Sequence, residues 1–202
     1  TWLDAELGVR SGIVPGLWLD AFAGYAVIKS AAFFVPSDYL GEPYDFGNYH
    51  VAFQPDATWM RLGAALKYAY RQTVDFSVKA VYNRGTFRKG EGNSWLSGAG
   101  MSNMKPYGCP AVEVNADLTV RPITPLSLTL DYYLGARRVT LFHGDNIKMS
   151  DLHDLNFTAA YNINDTFGAY LKFTNILSRG QDLWYGYPMQ RFGFMGGVNI
   201  NF

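Results

Sequence analysis

No run of 18 or more apolar residues occurs in this chain, so no segment can cross a bilayer as a helix. Cysteine is nearly missing. Cys109 stands alone, which rules out an intrachain disulfide. It has no nearby histidine or nucleophile signature, so it reads as a packed or loop cysteine and not a catalytic one. Charge is sparse, at 17% of residues against about 25% in ordinary soluble proteins. The formal net charge is +0 and no basic cluster appears, so nothing favours a nucleic-acid partner. Gly98-Ala99-Gly100 is followed by no Gly-Lys-Ser/Thr and sits in no βα unit, which makes it a flexible loop and not a phosphate cradle. No acid–base pair or activated nucleophile stands out, so neither an enzyme nor a cofactor is expected. Asn156-Phe157-Thr158 and Asn164-Asp165-Thr166 match the glycosylation pattern by chance. The opening residues, Thr1-Trp2-Leu3-Asp4-Ala5-Glu6, already read as a strand and show no signal-peptide pattern.

What the chain does have is alternation. In the final stretch, Phe192, Phe194, Gly196, Val198, Ile200 and Phe202 share one parity, while Arg191, Gly193, Met195, Gly197, Asn199 and Asn201 share the other. Successive strand side chains point to opposite faces, so one face is apolar and the other small or polar. The pattern recurs. Val112, Val114, Ala116, Leu118 and Val120 oppose Glu113, Asn115, Asp117, Thr119 and Arg121. Leu126 to Leu134, Leu155 to Ile163, Phe167 to Phe173, Met60 to Tyr70 and Val74 to Tyr82 alternate in the same way, and no charge falls on their apolar faces. A soluble sandwich also alternates, but its strands cluster near 5–6 residues. These runs are about twice that length and suit membrane-spanning strands of about 9–11 residues. Aromatics reach 16%, with 14 Tyr, 14 Phe and 5 Trp, as two interfacial girdles would require. The polar faces carry both signs, with Arg61, Lys67, Lys79 and Arg121 beside Asp75, Glu113, Asp117 and Asp131. Opposite charges on neighbouring strands can pair there. The predicted fold is all-β: an antiparallel transmembrane β-barrel meander of about nine or ten strands, as one domain over residues 1–202.

Short and long connections alternate along it. The short ones are Gly12–Gly16, Arg71–Thr73, Pro122–Pro125 and Asn164–Asp165, built from turn residues. The long ones are Ser30–Thr58, Thr86–Cys109, Phe142–Ser150 and Ser178–Gln190, with a short strand expected at Asn48–Gln54 inside the first. Periplasmic turns and extracellular loops alternate in this way in bacterial outer-membrane barrels.

Several stretches also resemble a family. Asn175-Ile176-Leu177-Ser178-Arg179-Gly180-Gln181-Asp182-Leu183-Trp184-Tyr185-Gly186-Tyr187-Pro188 is similar to the penultimate strand and loop of TonB-dependent receptors from Bacteroidetes. Glu6–Arg10 through Leu17–Tyr25, and Leu62–Tyr68, resemble hairpins of such receptors. The ending Gly197-x-x-Ile200-x-Phe202 resembles the C-terminal assembly signal of outer-membrane barrels, with Met195 where a polar residue is usual. That resemblance implies a final strand ending in the periplasm and recognition by the barrel-assembly machinery. Counting back gives about nine spanning strands, with the first residue outside. Complete bacterial barrels have an even number of strands, and an open sheet leaves costly edges in lipid. The expectation is therefore the C-terminal part of a larger barrel; a miscounted strand in Ser30–Thr58 would instead give a small closed barrel of about ten. The family implies a barrel of about 22 strands around a plug domain. It also implies an inner-membrane energy-coupling protein and inward transport of a small ligand whose identity the loops do not reveal. A structural or adhesive small barrel, or a passive pore, are the alternatives.

Candidate sites are few. Trp184, Tyr185 and Tyr187, with Arg179 and Asp182, fall in a long loop on the ligand side; the three aromatics would serve equally as interface anchors. Gly197, Ile200 and Phe202 are the candidate assembly signal. His143, Asp145, Asp151 and His153 supply metal-ligating types near one loop. Parity puts the first two on the lumen face and the last two on the outward face, against a metal site. His50 reads as a polar loop residue.

Overall fold

The computed structural model describes residues 3–36, 49–88, 105–142 and 145–200. Thr1, Trp2, Gly98, Ala99, Gly100, His143, Asn201 and Phe202 lie outside them. The strands are β1 Leu3–Val14, β2 Leu17–Pro36, β3 Tyr49–Tyr70, β4 Val74–Arg88, β5 Val112–Ile123, β6 Leu126–Ala136, β7 Val139–Phe142, β8 Asp145–Lys148, β9 Leu152–Asn162, β10 Phe167–Thr174, β11 Asp182–Trp184, β12 Tyr187–Pro188 and β13 Gly193–Ile200. No helix occurs among the described residues. Nine strands form one antiparallel sheet in the order β1-β2-β3-β4-β5-β6-β9-β10-β13. This is the expected meander of transmembrane barrel strands. The sheet is not closed: β1 pairs only with β2, and β13 only with β10.

The register keeps the two faces in phase from strand to strand. One rung runs Leu19–Leu66–Val78–Ala116–Tyr132–Leu155 from β2 to β9. The next runs Trp18–Lys67–Ser77–Asp117–Asp131–Asn156. A slip of one residue in any strand would exchange these chemistries. The outward face carries aromatic residues near the short turns: Tyr68 stacks on Tyr70 at 6.4 Å between ring centroids, and Phe76, Tyr161 and Phe167 share that face. Leu7 on β1 and Phe194 on β13 are 79% and 76% exposed, which marks the two edge strands as the least covered part of the face.

The polar face is concave and holds a hollow of about 760 Å³. Its charges pair laterally. Arg10 grips Asp20 with two hydrogen bonds of 2.6 and 3.1 Å, and Lys67 reaches the same carboxylate at 4.0 Å. Arg61 approaches Asp4 at 3.5 Å and Glu6 at 3.7 Å. Arg121 donates to Asp75 at 2.5 Å, Asn83 to Glu113 at 2.7 Å and Ser77 to Asp117 at 3.0 Å. Lys79 sits 5.2 Å from the centre of the Phe22 ring. That ring lies flat across Gly63, where a Cβ would come within 2.3 Å of it.

The short turns fall where turn chemistry puts them. Gly16 has φ +83, and a Cβ there would meet the Ala69 carbonyl at 2.2 Å, so only glycine fits. The Asn164 side chain accepts hydrogen bonds from the Thr166 and Phe167 amides at 2.9 and 2.8 Å, an Asx turn. The long connections contain more strand than expected. In Ser30–Thr58, β2 continues to Pro36, and the strand expected at Asn48–Gln54 is present as Tyr49–Gln54, not separate but the start of β3, paired back to β2. The β-branched and aromatic run Phe33-Phe34-Val35 accounts for the extension. Among the described residues no tenth strand arises there, and His50 lies in β3 opposite Val35. The other two described loops contain the hairpins β7–β8 and β11–β12.

The faces give a direct test. Leu130 faces outward four positions beyond Leu126, about 10 Å up a tilted strand, toward mid-bilayer. Leu130→Arg should destabilise the complete barrel in lipid vesicles by about 2–4 kcal/mol. Thr129→Arg, on the lumen face beside Thr119, should cost clearly less. Equal costs in reversible unfolding would invert the orientation.

Candidate functional site: the loop-side platform

The larger buried side chains gather at the loop end of the sheet, not between its faces. Among the described residues, Tyr107, Met149, Leu152, Arg138, Asn175 and Gln181 are each 5% exposed or less. They knit three connections together: 105–111, 137–151 and 175–192.

The segment carrying the candidate binding residues is held by side chain-to-backbone bonds. Asn175 ends β10 with φ 47, a left-handed conformation that asparagine tolerates. Its amide donates to the Asn156 side chain at 3.0 Å, and its Nδ2 donates to the Gln190 carbonyl at 2.5 Å. Gln181 copies a strand residue: Nε2 donates to the His153 carbonyl at 2.6 Å, while Oε1 accepts from the His153 amide at 2.8 Å. Arg138 is 1% exposed. It donates to the Asp182 carbonyl at 2.7 Å and also to the Leu183 carbonyl. A buried guanidinium is costly unless hydrogen-bonded; here the carbonyls of Ser150, Asp182 and Leu183 take up donors of its two terminal nitrogens, while Nε has no partner.

This frame presents the hairpin β11–β12. Trp184 pairs with Tyr187 across Tyr185 and Gly186, the latter at φ +79. The Gly186 amide donates to the Asp182 carboxylate at 3.3 Å. Trp184 and Tyr187 are 40% and 44% exposed. Trp184 also packs over Gly108, where a Cβ would come within 2.8 Å of its ring. Tyr185 lies against Phe142 with ring centres 4.8 Å apart, which ties the hairpin to β7, and β7 in turn approaches β2. Arg179 is exposed, just past Ser178 at φ 43. Asp182, Trp184, Tyr185 and Tyr187 are thus brought onto one hairpin. Gly197 lies elsewhere, on the lumen face of β13 under the Tyr170 ring, and Ile200 pairs with Phe167 near the short turns. Sequence reasoning missed Arg138 altogether. Asn175 and Gln181 stood inside the Asn175–Pro188 stretch, but nothing local marked them as anchors.

The chemistry on offer is recognition: exposed aromatic faces, a carboxylate and an arginine. Among the described residues no group of three His, Cys, Asp or Glu is placed to hold a metal ion. Asp145 sits in β8, while His153 donates or accepts with the Tyr132 hydroxyl at 2.9 Å. Burial, helped by nearby Glu113, pushes the Cys109 thiol up, away from reactivity at neutral pH.

Solved structures place this architecture. The chain is similar to the copper transporter OprC over 98% of its own length and 31% of that chain, at 13% identity and TM-score 0.68. It is similar to the ferric-catecholate import receptor Fiu of E. coli K12 over 98% and 27%, at 13% identity and TM-score 0.69. It is similar to the ferripyoverdine receptor of the outer membrane of Pseudomonas aeruginosa over 98% and 27%, at 10% identity and TM-score 0.65. The fold is that of part of an outer-membrane β-barrel. The chain spans under a third of the length of these receptors. No family model matches the sequence, and no curated protein matches it.

Arg138→Met should loosen this platform without disturbing the wall. Amide exchange across 178–190 in the complete protein should rise at least tenfold, while β5, β6 and β9 keep their protection. Unchanged exchange there would show that the hairpin holds itself.

Proposed function

We propose that the chain is the C-terminal part of a TonB-dependent receptor barrel in the bacterial outer membrane, with a role in uptake and not in catalysis. It builds wall, lumen surface and extracellular loops. The observation that carries this reading is the agreement of the whole nine-strand meander with receptor barrels over 98% of this chain and under a third of theirs. Strands from the rest of the receptor would pair with β1 and β13, and a plug domain would face the paired charges of the hollow. Inward transport would then draw on an inner-membrane energy-coupling protein. The cargo is a small ligand. Since the similar structures are named for copper, ferric-catecholate and ferripyoverdine, metal chelates are the first class to test.

In this reading the β11–β12 hairpin contributes to the ligand mouth, because loops on a rigid scaffold are common binding elements. Trp184, Tyr185 and Tyr187 supply amphipathic contact surface, and Arg179 and Asp182 supply charge. Replacing Trp184 and Tyr187 together by Ala in the full-length receptor should weaken ligand binding by about tenfold or more and leave barrel folding intact. Growth on the carried nutrient should fall only while the inner-membrane energy system is present. Uptake that persists without that system would favour a passive pore.

Gly197, Ile200 and Phe202 are proposed as the assembly signal read by the barrel-assembly machinery. Gly197 has a structural role as well, since the Tyr170 ring covers it at a distance no side chain would allow. Deleting Phe202 from the full-length protein should lower the amount reaching the outer membrane, measured by surface labelling. Normal surface yield would remove the signal.

A further inference from the structure

The outward face is apolar along its length until the loop-side end of β2–β4, where a cation appears. The rung Ala23–Leu62–Tyr82 is followed by Tyr25–Met60–Arg84. Arg84 therefore stands on the face that meets lipid, and its side chain is exposed. Its strand starts at Val74, ten positions below. At about 3.3 Å per residue and a tilt of about 40°, Arg84 lies about 25 Å above the periplasmic turn. That is the height of the apolar band in such barrels, so the guanidinium reaches the level of the outer-leaflet headgroups. Tyr25, 47% exposed, and Tyr82, 39% exposed, bracket it as interfacial tyrosines do.

Among the described residues Arg84 has no ion-pair partner. Among the described residues the nearest carboxylate on this face, Asp56, lies four positions along β3 from Met60, about 13 Å away along the strand, in register with Lys29 on one side and Arg88 on the other. A permanently charged guanidinium next to lipid needs an anion or water. At this height the membrane itself supplies anions, as lipid phosphates. Arginine's planar fork matches a phosphate in two-point geometry.

We propose that the outward surface around Arg84, with Tyr25 and Tyr82 beside it, binds the phosphate of a phosphorylated outer-leaflet glycolipid. The site continues the lipid-facing surface and is separate from the loop-side platform, so it does not depend on which ligand the receptor carries.

The test uses full-length protein in detergent, titrated with bis-phosphorylated lipid A and watched by native mass spectrometry. Fully dephosphorylated lipid A serves as the comparison lipid. Wild type should retain the phosphorylated form preferentially. Arg84→Gln should weaken its binding about fivefold, the factor that one interfacial arginine contributes, and leave binding of the dephosphorylated form unchanged. Arg84→Lys should keep most of the preference and serves if the glutamine variant fails to fold, as judged by heat-modifiable migration. Wild type binding both lipids alike, or either variant departing from these directions, would overturn the proposal.

Discussion

The antiparallel ladder, in phase across nine strands, is the constraint on which the rest of this structure depends. In hydrocarbon no water is present to take up a stray amide or carbonyl, so a wall in lipid is made of strands that satisfy one another. Once the strands are locked, side-chain parity is no longer a local matter. The rung from Leu19 to Leu155 is apolar because every strand it crosses keeps the same phase. The rung beside it, from Trp18 to Asn156, gathers Lys67, Ser77, Asp117 and Asp131 for the same reason. Asp20 can hold Arg10, its partner in register on β1, and Lys67, on the diagonal of β3, only because three strands keep one phase.

Such a wall has no conventional core. One face meets lipid and the other a polar hollow, so the burial that usually positions a site has to be built elsewhere. It is built among the loops, and largely from polar groups. Arg138 and Gln181 replace missing strand neighbours by bonding to main-chain atoms of Asp182, Leu183 and His153. Each such bond is worth more when shielded from water, and leaving one unmade is costly. The platform therefore gains definition from a few contacts of high sequence separation, and apolar mass contributes less. The exposed rings of Trp184 and Tyr187 are carried on a hairpin that these buried side chains hold in place.

That division decides what could be read from the sequence. Parity is a local, repeated signal, so the strands β4, β5, β6, β9 and β10, their facing and the short turns at Pro15-Gly16 and Asn164-Asp165 were legible. The antiparallel order followed from the short connections. A strand at Asn48–Gln54 was legible too, but its continuity with β3 and the extension of β2 were not, because Ala31–Pro36 is a strand through its pairing with Tyr49–Gln54 across a connection whose length hides the register. The aromatic loop was legible as a candidate through its composition. Its support was not: Arg138 reaches Asp182 and Leu183 across 44 and 45 residues, and nothing near Arg138 in the chain announces that distance.

The same ladder that fixes nine strands also leaves two unsatisfied. β1 is exposed along its whole length, and β13 nearly so. Both present outward apolar residues, Leu7 and Val9 on one and Phe194 and Val198 on the other, that are 68% exposed or more. In lipid the unpaired backbone of these strands carries a cost of several kcal/mol per orphaned group. The parity of each edge specifies its neighbour. A strand beside β1 would set apolar residues level with Leu7 and Val9, and polar or small ones level with Glu6 and Arg10. The neighbour of β13 would put polar or small residues level with Met195 and Asn199. These conditions are local and stereochemical, and a longer barrel satisfies them without altering any contact within the nine strands.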